Sequence, residues 1–95
     1  MIMNNRTIKG LKAAAEALSQ ELANLKNERR YAQAEANYHS AAGNWDNADN
    51  YSGQVNDLSR QIIKVRNNYY STLTELTELI NAKAALNPLS SDYQN

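Results

Sequence analysis

The feature that most constrains this chain is the spacing of its apolar residues. Ile8, Leu11, Ala15, Leu18, Leu22, Leu25, Ala32 and Ala36 recur by alternating threes and fours, the a/d repeat of a helix that packs along one seam. In this register Arg29 takes a core-type position and His39 ends the seam, so packing turns small and polar beyond Leu25. A second stripe, Tyr31, Ala34, Tyr38, Ala41 and Trp45, starts where the first weakens. It lies about a third of a turn round the helix and widens the apolar face of the distal half.

Gly43 followed by Asn44 reads as a helix stop and restart. Glycine takes the left-handed conformation that closes a helix, and Asn44 or Asp46 can cap the next one. The second helix repeats the code with Ala48, Tyr51, Val55, Leu58, Ile62, Val65 and Tyr69. Gly53 inside it costs about 1 kcal/mol against alanine, yet the spacing runs through it unbroken, which predicts continuity, with a short break at Ser52 and Gly53 as the alternative. From Tyr69 the stripe is expected to shift by one place to Leu73, Leu76 and Ile80, with Leu79 and Leu86 beside it. Asn87 and Pro88 end the helix, because the residue before proline is pushed out of the α region.

The expected fold is therefore all-α: an antiparallel helical hairpin of two long helices over residues 6–86, with its turn near 43–46. A flexible N-terminus, 1–5, and a loose tail, 87–95, flank it. Folding at the turn brings Lys9 and Lys12 level with Ile80 and Thr77, near Glu75 and Glu78. Two helices cannot enclose a core, whereas two hairpins side by side make a four-helix bundle. A homodimer, as a bundle or coiled coil, is the default expectation.

Composition narrows the function. The 95 residues hold ten basic and ten acidic side chains and no cysteine, so neither a disulfide framework nor a thiolate zinc site is expected. The neutral balance argues against a general nucleic-acid binder. No apolar run is long enough to span a bilayer and no leader pattern opens the chain, which points to a cytoplasmic protein with no membrane role. Local charge still matters. The hairpin register puts Lys26, Arg29, Arg30, Arg60, Lys64 and Arg66 at one level, a basic waist that could hold phosphates or an acidic protein surface. The plainer alternative is a solvated girdle with Arg29 snorkelling from the seam. Tyr31, Tyr38, Trp45 and Tyr51 concentrate towards the turn beside Glu35, Asp46, Asp49 and Asp57, a candidate docking tip because such aromatics dominate binding hot spots. Alternatively Trp45 caps the hairpin and the tyrosines pack between the helices.

Catalysis finds no foothold. There is no Gly-rich phosphate loop, no serine paired with a second histidine, and the carboxylate pairs sit on exposed helical faces. His39 with Glu35, Asp46 and Asp49 is a weak metal candidate; residues Asp46 to Asn50 lack the glycine and glutamate that an EF-hand loop needs. No cofactor is expected. Length, hairpin plan and a tryptophan at the turn resemble the WXG100 family of leaderless secreted helical hairpins, which form dimers. That family's turn reads Trp, any residue, Gly; here Trp45 precedes Asp46 and Asn47, and Gly43 comes before it. The resemblance thus covers the plan and transfers no site, leaving secretion as a minor alternative. The leading expectation is a non-enzymatic protein-interaction module, an inhibitor or adaptor that occludes a site on another protein such as a host nuclease or defence complex. The alternatives are a nucleic-acid-associated dimer using the basic waist and a structural coiled-coil element.

Overall fold

The computed structural model describes residues 7–86, and the segments 1–5 and 87–95 expected to be loose lie outside the described residues. Two helices, α1 (Ile8–Ala41) and α2 (Trp45–Leu86), form an antiparallel hairpin. Thr7 caps α1: its Oγ1 accepts the Gly10 N–H at 2.9 Å, satisfying one of the orphan donors of the first turn.

The turn is tighter than its expected span and begins one residue earlier. Gly43 N–H donates to the Ser40 carbonyl at 3.1 Å and Asn44 N–H to the His39 carbonyl at 2.8 Å. This double closure is a Schellman motif, which needs a left-handed residue after the cap, and Gly43 supplies it with φ of 78°. Asn44 then stands at the N-cap of α2, its carbonyl accepting from Ala48 N–H at 3.0 Å. Asp46 lies in the first turn of α2, where a carboxylate suits the positive end of the helix dipole. The helix runs through Ser52 and Gly53 without a break.

The heptad seam holds the hairpin together. On α1 every a/d residue from Ile8 to His39, Arg29 included, is buried or half-buried. On α2 the same is true at Ala48, Tyr51, Val55, Leu58, Ile62, Val65, Tyr69, Thr72, Leu76 and Leu79. The expected shift after Tyr69 is therefore absent: Thr72 keeps the register, Leu73 sits half-buried on the flank and Ile80 is exposed. A threonine can fill a core-type position because its methyl packs while its hydroxyl returns to the helix backbone. Leu25, Ile62 and Val65 form the central cluster, packed by Leu18, Leu22 and Leu58. Nearer the turn the seam is lined by Ala32, Ala36 and Ala48, all buried.

The result is one helix layer, only 14 Å through its thinnest dimension. Its radius of gyration, 21.0 Å, far exceeds the roughly 12 Å of a compact domain of this length. Among the described residues no large side chain is fully buried, and the accessible surface of 6761 Å² exceeds the about 5,500 Å² of a compact monomer of this mass.

Two stability predictions follow from this architecture. Leu25→Ala should cost about 2–4 kcal/mol through the cavity left in the central cluster, measured by urea unfolding. Gly43→Ala should cost about 1–2 kcal/mol because a Cβ is strained at positive φ, although nothing lies within 4 Å to obstruct it sterically; an unchanged midpoint would show the turn is not closed this way.

Candidate interaction faces

Two antiparallel helices joined along one seam leave two broad faces, and the contacts across the seam fix which residues share each. Arg29 Nη1 donates to Ser59 Oγ at 3.3 Å across one side of the seam. Residues one or more heptads from Ser59 therefore lie on that side: Trp45, Arg66, Leu73 and Ile80. On α1, Lys26, Arg30 and Gln33 line a shallow concavity with Arg29 and fall on the same side by their heptad positions. On the opposite side Glu28 and Tyr31 line a second open concavity with Gln54, Asp57 and Gln61, and a third, nearer the open end, is lined by Leu11, Glu75, Glu78 and Leu79.

Extending these flanks along the heptads sorts the charges by sign. The Arg29 face carries Lys9, Lys12, Lys26, Arg29, Arg30 and Arg66 against Glu16 and Asp49. The Tyr31 face carries Glu21, Glu28, Glu35, Asp57, Glu75 and Glu78 against Lys64. Arg60 occupies the outer edge of α2, paired with Asp57 at 2.6 Å. A neutral chain thus presents one basic and one acidic face.

This placement divides the basic waist. Arg29 at core level hydrogen-bonds Ser59, and Lys26, Arg29, Arg30 and Arg66 share one face, but Lys64 points to the other and Arg60 to the edge. Lys9 and Lys12 come level with Thr77 and Ile80, yet lie on the face opposite Glu75 and Glu78. The aromatic tip divides too. Tyr31 and Tyr38 are exposed on the acidic face, at 62% and 67%, and Trp45, at 63%, opens α2 on the basic one. The stripe read through to Trp45 is interrupted because the Schellman turn resets the helix phase. Packing between the helices therefore holds for Tyr51 alone among these four: it is half-buried.

Tyr51 stacks on His39, with ring centroids 5.5 Å apart and planes 5° from parallel. The edge of Tyr38 meets the same imidazole at 5.2 Å, Glu35 Oε1 approaches its Nε2 at 3.8 Å, and Asn44 Nδ2 lies 3.5 Å from Nδ1. His39 is thus the junction of the tip, a role its end-of-seam position did not reveal; the signal was Tyr51 at the same level on the partner helix. Among the described residues no group of three or more histidine, cysteine or carboxylate side chains is placed to hold a metal. No described helix is long and apolar enough to cross a membrane.

The exposed Tyr31 phenol is held above its ordinary value of 10.0, chiefly by the negative charge of Glu35 and further by Tyr51. A raised folded-state value means that its contribution to stability is complete below pH 10 and is lost as pH rises beyond. Glu35→Gln should bring that phenol back towards 10.0, read as the difference in ultraviolet titration between each protein and its Tyr31→Phe counterpart; an unmoved titration would dismiss Glu35 as the cause.

The chain was compared with protein-family models, curated proteins and solved structures, and none of the three gives a match.

Proposed function

We propose that this protein is a non-enzymatic interaction module, a thin rigid hairpin that works by laying a broad face against another protein surface and occluding it, as small inhibitors and adaptors do. One observation carries the reading: six large apolar side chains, Tyr31, Tyr38, Trp45, Ile63, Tyr70 and Ile80, stand 43–67% exposed on a scaffold whose core is already committed to a single seam. Rigid tyrosine and tryptophan rings are the side chains from which binding hot spots are built, and the concavities on both faces are open rather than enclosed.

The basic face gives a second reading, a nucleic-acid-associated protein, because Lys26, Arg29, Arg30 and Arg66 lie together there. The two separate in one experiment. Capture of partners from lysate, with and without nuclease, should give a stoichiometric protein partner that resists nuclease and whose affinity falls at least about tenfold in Tyr38→Ala or Trp45→Ala, a loss typical of a hot spot. Partners lost entirely on nuclease treatment, with binding that weakens steeply as salt rises, would replace the interaction module by the nucleic-acid reading.

A further inference from the structure

We infer that one partner for these faces is a second copy of this chain, and that copies stack heterologously, the basic face of one hairpin on the acidic face of the next. This deepens the interaction-module reading and rests on it. Like charges oppose a two-fold pairing of either face with itself: basic would meet basic and acidic would meet acidic. The heterologous contact instead places Lys26, Arg30 and Arg66 against Glu21, Glu28 and Asp57.

The match extends along the axis when both copies point the same way. The Arg29 to Ser59 contact fixes the level of the two helices, which sets the middle basic group level with Glu28 and Asp57. At the open end Lys9 and Lys12 come level with the exposed Glu78. Exposed apolar side chains share each charged face and add area to the contact: Trp45, Ile63, Tyr70 and Ile80 on or beside the basic face, Tyr31 and Tyr38 on the acidic one. Because each copy uses two different faces, the contact does not close on itself after two copies and generates a stack or ring.

Sedimentation velocity across a concentration series tests this. The wild-type chain should form species larger than a dimer at about 50 mM salt and dissociate at about 500 mM, where screening shortens the reach of charge to about 4 Å. The triple variant Lys26→Glu, Arg30→Glu, Arg66→Glu has two acidic faces and should remain monomeric. The triple variant Glu21→Lys, Glu28→Lys, Glu78→Lys has two basic faces and should do the same, while an equimolar mixture of the two associates. The same change of net charge placed at Arg60, Lys64 and Lys83, off the basic face, should leave self-association intact. All these side chains are exposed, and circular dichroism checks that each variant remains helical; the wild-type salt series stands regardless of them.

A salt-insensitive dimer, equal loss in the control variant, or failure of the mixture to associate would overturn the stacking. So would association that disappears with nuclease, which would assign the basic face to nucleic acid. A wild-type chain that stays monomeric yet captures a protein through Tyr38 or Trp45 overturns the stack alone; one that does neither overturns the interaction module as well.

Discussion

The contact between Leu25 on α1 and Ile62 with Val65 on α2 is the point from which the rest of the hairpin is set. It is the place where the seam is fully aliphatic, and it fixes the level at which the helices pass. Towards the turn the seam is lined by buried Ala32, Ala36 and Ala48, and towards the open end buried Leu11 and Ala15 of α1 meet half-buried tyrosine, threonine and leucine of α2. A seam of this composition secures register more than it encloses volume. It buries one line of side chains and leaves each helix with most of its circumference in water.

That geometry explains why polar residues are tolerated at core-type positions. Arg29 reaches from the seam to Ser59, with its charged end at the rim of a layer so thin that solvent is never far. His39 occupies the corresponding place near the turn and serves as a stacking platform between Tyr38 and Tyr51. In a closed bundle either residue would carry a large desolvation cost. At the edge of a single layer each keeps its hydrogen bonds while its apolar part packs. The Schellman turn completes the design by locking the reversal with backbone bonds and a glycine, without need of a hydrophobic cap from Trp45.

Much of this was legible in the sequence, because level and register are periodic quantities. The a/d spacing locates the seam from Ile8 to His39 and from Ala48 to Tyr69, and Gly43 locates the reversal. Thr72 is not an apolar residue, so a purely apolar pattern runs on to Leu73, whereas the heptad count keeps the line through Thr72. Trp45 was assigned to the face of Tyr38 by extending a helical stripe through a residue that ends the helix. The charges were grouped by their level along the hairpin, which joined Arg30 with Lys64. Their side of the seam depends instead on heptad position, and reading it requires the two helices to be placed against each other.

The flank positions of α2 give the polarised faces their meaning. In a coiled coil the residues beside the seam usually carry charges that pair between helices. Here Lys26 faces the flank of Ser59 and Arg66, while Glu28 and Glu35 face Gln54 and Gln61. Serine and glutamine do not neutralise those charges as a counter-ion would, and Arg66 has the same sign as Lys26. The Asp57–Arg60 ion pair lies within one helix, as does the 3.8 Å approach of Glu35 to His39. The aliphatic seam and the turn hold the hairpin together. Two faces of opposite sign, built largely from side chains the hairpin does not need for its own closure, are surface available to something outside the chain.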